Sequence, residues 1–104
     1  MENYALVLRE RTVYKKIRTG MNRLYLLYGI EIGENSRTGD VIISEVSPRS
    51  VIYNLKKGDI ILSADGIDVT SLESFIRIFN RHESHFEKIM VSRDSRTLEI
   101  RLSK

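Results

Sequence analysis

The sequence predicts a small α+β domain, on three observations. Short apolar, β-branched runs recur between turn formers, at Val41-Ile42-Ile43 and Ile60-Ile61-Leu62; runs of this length and branching favour strands over helices. Asp65-Gly66 stands between the second run and Ile67 and Val69, a two-residue hairpin signal. After Val69 the apolar period changes to that of a helix, from Thr70 to Arg81. At 104 residues and 41% apolar content there is room for one compact core and no second.

Taken in order, residues 4 to 18 read best as a helix from about Tyr4 to Arg18, stopped by Gly20, although Tyr4, Leu6 and Leu8 also suit a short strand. From Leu24 the pattern reads as strands: Leu24 to Ile32, a polar turn over Gly33 to Thr38, then Gly39 to Ser47. Arg49 to Asn54, after Pro48, is expected to form one helical turn covering an open end of the sheet. Thr70 or Ser71 can cap the following helix, and Glu73 places a carboxylate in its first turn. Its apolar positions, Leu72, Phe75, Ile76, Ile78 and Phe79, make too broad a stripe for one surface and imply two apolar neighbours.

The charge of +3 is unevenly spread. Residues 1 to 23 carry Arg9, Arg11, Lys15, Lys16, Arg18 and Arg23 against Glu2 and Glu10, leaving the remainder near neutral. Aromatic residues are not interleaved through the basic segment as single-strand nucleic-acid binding favours, so it reads as a solvated approach to the domain. No nucleic-acid partner is expected. The absence of cysteine excludes a disulfide framework and thiolate metal sites. No apolar run has the length of a membrane span, and Tyr4 to Leu8 is too short for a signal-peptide core, so the sequence reads as soluble.

Leu55-Lys56-Lys57-Gly58-Asp59-Ile60-Ile61-Leu62, followed by Asp65-Gly66, resembles the signature of PDZ domains. Leu27-Tyr28-Gly29-Ile30, and the run Gly39 to Val46 ending at Ser47-Pro48, are similar to the loop and second strand of the bacterial type. Ile17-Arg18-Thr19-Gly20-Met21-Asn22-Arg23 resembles the linker before that loop in high-temperature-requirement (HtrA-like) serine proteases. The PDZ domain of the type II secretion protein C family is the second resemblance. Both imply a PDZ-like, partly open antiparallel β-barrel or sandwich of five to six strands. Its main helix would lie at about 70–81 and its short helical turn at about 49–54, with an extra N-terminal helix and closing strands at Lys88 to Arg93 and Thr97 to Leu102. Residues 1–23 then form a basic helix or linker and residues 24–104 the domain.

The resemblance implies a peptide-binding module that captures extended or C-terminal segments by strand addition between strand 30–33 and helix 70–81. Leu27, Tyr28, Gly29 and Ile30 would form the carboxylate loop; Ile32, Leu72, Ile76 and Phe79 would line the groove, with Phe75 and Ile78 facing the sheet. Leu27 replaces the first glycine of the eukaryotic Gly-Leu-Gly-Phe loop, and Leu72 stands where domains selecting Ser or Thr carry histidine. Ligand side chains at the last and third-last positions are therefore expected to be apolar. The implied setting is the cell envelope or periplasm. The partner would be a linked protease, for which the domain recognises substrate or regulates, or a secretion assembly for which it is a scaffold.

Catalytic chemistry finds no support. No serine lies in a Gly-x-Ser-x-Gly elbow or a Gly-Asp-Ser-Gly context. His82 and His85 near a helix end lack the further ligands a metal needs, and Asp59, Asp65 and Asp68 are explained by turns. Neither an active site, a metal nor a cofactor is expected.

Overall fold

The computed structural model describes residues 17–81 and 85–102. The expected helix at Tyr4 to Arg18 lies mostly outside them. Within them, a helix, α1, occupies residues 17–28 and runs through Gly20 without a break. Gly20, Leu24 and Tyr28 are buried and Ile17 and Met21 half-buried, an i, i+3, i+4 stripe that turns one face of α1 inward. Gly29, at φ 72°, ends the helix: its N–H donates to the Tyr25 carbonyl at 2.9 Å and its left-handed backbone turns the chain into the sheet.

The expected strand from Leu24 thus begins only at Ile30. Leu24 to Tyr28 is a helical last turn, because Leu24 and Tyr28 need the same inward face and only a helix supplies it at a spacing of four. Six strands follow: β1 Ile30–Glu34, β2 Val41–Val46, β3 Ile60–Ala64, β4 Ile67–Asp68, β5 Lys88–Arg93 and β6 Arg96–Arg101. A 3-10 helix spans Pro48–Tyr53 between β2 and β3, and α2 spans Leu72–Arg81 between β4 and β5. The sheet is antiparallel in the order β1-β2-β3-β5-β6, with β4 paired to β3 off that path.

Local chemistry fixes these boundaries. Asp65 and Gly66 both have positive φ, as the hairpin between β3 and β4 requires, and Asp65 Oδ1 accepts the N–H groups of Glu87 and Lys88, both at 2.9 Å. Ser71 caps α2: its Oγ accepts the Ser74 N–H, and Ser74 Oγ accepts the Ser71 N–H, each at 3.0 Å. The Gly58-Asp59 turn holds a buried ion pair. Arg93 donates from Nε to Asp59 Oδ1 at 2.8 Å and from Nη2 to Oδ2 at 2.6 Å, and the Lys56 N–H adds a third bond to Oδ2 at 3.1 Å.

The core gathers Ile43, Ile61, Val91, Ile89 and Ile100 from the sheet with Phe75 and Phe79 from α2 and Phe86 beyond it. Phe86 lies 5.3 Å from Phe75 and 5.0 Å from Phe79 between ring centroids. No helix among the described residues is long and apolar enough to cross a membrane.

Candidate functional site

β1 ends the sheet, so its backbone pairs with β2 on one side only. On its other side lies α2, tied to it at one end where the Leu72 N–H donates to Glu34 Oε1 at 3.1 Å. A carboxylate is well placed there, at the positive end of a helix dipole. Ile30 and Ile32 of β1 and Ile76 and Phe79 of α2 are buried, and Leu72 is half-buried against the same cluster. The expected groove residues Ile32, Ile76 and Phe79 are thus part of one buried apolar cluster, with Leu72 packed against it.

The cleft is not open. A Cβ built on Gly20 of α1 would stand 2.7 Å from Cγ2 and 3.1 Å from Cδ1 of Ile76, so α1 and α2 touch backbone to side chain. Glycine inside a helix costs about 0.5–1 kcal/mol relative to alanine; here its missing side chain is what lets the helices meet. The expected division of α2 into a core face and a free groove face is corrected accordingly. Phe75, Ile76, Ile78 and Phe79 are all buried, and the second apolar neighbour of α2 is α1.

α1 ends where the carboxylate loop was expected. Leu27 and Tyr28 are helical, so their N–H groups belong to the helix ladder, and the Gly29 N–H is held by Tyr25. The Gly29 carbonyl accepts the Ser47 N–H at 2.7 Å, and Arg49 caps the Leu26 carbonyl through Nη1. A Cβ on Gly29 would crowd Ser47 Oγ, and would lie 2.8 Å from the Ser50 nitrogen and 2.9 Å from Arg49 Cβ. The end of a helix presents carbonyls, the negative pole, at a place where a ligand carboxylate needs donors. Leu27 itself is exposed on α1, beside the exposed Tyr25 and Leu26.

Tyr28 anchors this end. Its hydroxyl accepts the Phe86 N–H at 2.9 Å and lies 3.5 Å from His85 Nδ1, while its ring meets Tyr53 edge-on at 5.4 Å. Burial pushes the phenol pKa up from 10.0, against the Phe86 hydrogen bond that favours the phenolate. On the sheet side α1 does not close fully. A cavity of about 590 Å³ separates Met21, Tyr25 and Leu26 from Glu31, Ile32 and Ser44.

Gly20 and Leu24 are the site residues that pattern reading misses, and Tyr28, expected in the carboxylate loop, instead anchors the end of α1. Their spacing of four with Tyr28, flanked by Ile17 and Met21, is the available signal, hidden when Gly20 is read as a helix stop. Among the described residues no group of three or more His, Cys, Asp or Glu is placed to hold a metal.

An antiparallel sheet ending in a strand that faces a helix across an apolar cleft, entered through an apolar-Gly-apolar corner, is the architecture of a PDZ domain. The chain has a PDZ-like fold. It is similar to the HtrA-type protease AlgW, in a serine-to-alanine variant solved with a decapeptide, at 14% identity and a TM-score of 0.55, over 83% of this chain. It spans 32% of that protease chain. It is also similar to the PDZ domain of EpsC from Vibrio cholerae, at 15% identity and a TM-score of 0.56, over 90% of this chain and 95% of the other. No protein-family model and no curated protein matches the sequence.

Proposed function

We propose that this chain is a peptide-recognition module that receives an extended segment by strand addition to β1, with α2 as the facing wall. The observation that carries the reading is β1 itself: a sheet-terminal strand with apolar Ile30 and Ile32 beside Leu72, Ile76 and Phe79. The added strand gains main-chain hydrogen bonds, and its alternate side chains enter the apolar cleft, which favours aliphatic residues. The bound decapeptide of the HtrA-type neighbour supports a peptide as the ligand class. The module acts in recognition, not catalysis, as the substrate-recognition or regulatory unit of a larger protease.

A second reading, a docking domain of a secretion assembly, draws on a specific observation. α1 runs unbroken to Tyr28, which engages the Leu27 and Tyr28 N–H groups in the helix, and the Gly29 N–H is held by the Tyr25 carbonyl. A partner strand without a free terminus fits that corner as well as a C-terminal peptide does. Titration with peptides ending in apolar residues, each as free acid and as C-terminal amide, separates the two. Tighter binding of the acids supports C-terminal capture, equal binding supports internal-strand docking, and no binding of any peptide overturns strand addition.

A further inference from the structure

We propose that α1 is an autoinhibitory plug, seated in the cleft that an incoming strand must enter and displaced when the ligand binds. The inference rests on the reading of the β1–α2 cleft as the peptide site, and it assigns that site a regulation of its own. Four relationships carry it. First, cleft walls that should be wet in a waiting receptor are dry: Ile30, Ile32, Ile76 and Phe79 are each no more than 3% exposed. Second, the group that dries them on the α2 side is α1, whose Gly20 meets Ile76 so closely that a methyl group does not fit.

Third, α1 leaves apolar side chains exposed at Tyr25 and Leu26 on the flank that faces β1, where a cavity and not a close contact separates it from the sheet. The 590 Å³ cavity beside Glu31 and Ile32 leaves β1 approachable from the flank. An incoming strand can begin to pair there before the helix has left. Fourth, Tyr28 is fastened to Phe86 and Gly29 to Ser47, so the C-terminal end of α1 is the fixed point about which the rest swings. The energetic consequence follows from population arithmetic: the apparent affinity is the intrinsic affinity reduced by the fraction of molecules with α1 unseated.

The contact that defines the plug also offers its test. The Cβ position at Gly20 lies 3.6 Å from Cβ of Ile76, within the range that a disulfide spans, and the sequence has no other cysteine. The full chain carrying Gly20→Cys and Ile76→Cys is titrated, oxidised and reduced, with a fluorescent pool of short peptides having apolar last and third-last residues. The parent and Gly20→Val are titrated beside it. Locking α1 by oxidation should weaken binding by about tenfold or more relative to the reduced form, and Gly20→Val, which crowds α1 off Ile76, should tighten it by a similar factor over the parent.

Equal binding by oxidised and reduced protein, with the disulfide confirmed by mass, overturns the plug while leaving the peptide reading intact. If the substitution at Ile76 itself removes binding in both redox forms, Gly20→Val decides: tighter binding than the parent supports the plug, and no gain in a protein whose β-sheet amides remain protected overturns it. Should Gly20→Val lose that protection, hydrogen exchange of the parent decides. Faster exchange of residues 17–24 on peptide addition supports displacement, and unchanged exchange with peptide bound overturns it. Failure of every form, parent included, to bind any peptide overturns the peptide reading itself, and the plug falls with it.

Discussion

The Tyr28 hydroxyl accepts the backbone N–H of Phe86 at 2.9 Å, joining the last residue of α1 to the segment that follows α2. The bond is buried, and Tyr28 also packs on Tyr53 and Phe79. Tyr28→Phe keeps the ring and leaves that N–H without its partner, which should lower stability by about 1–3 kcal/mol. Urea denaturation of the two proteins at neutral pH measures the difference; equal midpoints would contradict the assigned role.

Tyr28 also sets an alkaline limit. Its folded pKa is raised above 10.0 by burial, so above that pH the unfolded chain loses this proton before the folded one does. Stability contributed by the neutral phenol is fully present below pH 10.0 and is lost as pH rises through the folded pKa. Denaturation from pH 9 to pH 11, in steps of about half a unit, should show a steeper fall for the parent than for Tyr28→Phe.

The Arg93–Asp59 pair is bidentate and sits largely out of water, with Asp59 1% exposed. The bidentate geometry, and the Arg93 Nη2 bond to the Asn54 carbonyl at 2.8 Å, tie the turn before β3 to the end of β5. Asp59→Ala strands a guanidinium that is largely shielded from water and should cost about 3–5 kcal/mol. Replacing both partners by apolar residues of similar volume should cost less than Asp59→Ala alone. Calorimetric melting of the single and double variants checks the order.

Gly20 and Ile76 should be energetically coupled. Gly20→Ala, which in an unhindered helix interior would be favourable by about 0.5–1 kcal/mol, is expected to destabilise the parent because its methyl meets Ile76. In an Ile76→Ala background the obstruction is gone and the same change should become neutral or stabilising. A double-mutant cycle by equilibrium denaturation should yield a coupling of about 0.5–3 kcal/mol. Ile76→Ala alone should cost about 2–5 kcal/mol and Phe75→Ala about 3–5 kcal/mol, since both are buried. With α1 seated, Ile76 is therefore expected to behave as a core residue.

What was legible in the sequence was what local chemistry dictates. β2, β3 and β5 are apolar runs stopped by Gly, Asp or Pro, and α2 declares itself through Ser71 and its broad stripe. The stripe even announced a second neighbour, though not which. α1 was illegible because Leu24-Tyr25-Leu26-Leu27-Tyr28 is apolar on every face and hides its period, and because Gly20 reads as a stop unless Ile76 is already beside it. Asp59 read as a turn residue since its partner, Arg93, is 34 positions away and no local pattern joins them. Of the expected site, Ile32, Ile76 and Phe79 lie in the buried apolar cluster and Leu72 packs against it. Leu27 to Ile30 form a helix end and its corner, a difference decided by the inward need of Tyr28.

Strand addition to β1 is tested most directly by a ¹H–¹⁵N correlation titration of the full chain with a free-acid peptide having apolar last and third-last residues. The largest shifts should fall on Ile30–Glu34 and along α2 from Leu72 to Phe79, with residues 17–28 changing as α1 gives way. Shifts confined elsewhere, for example to the cavity lined by Val46, Pro48, Leu55 and Lys57, with β1 unmoved at saturation, would contradict it.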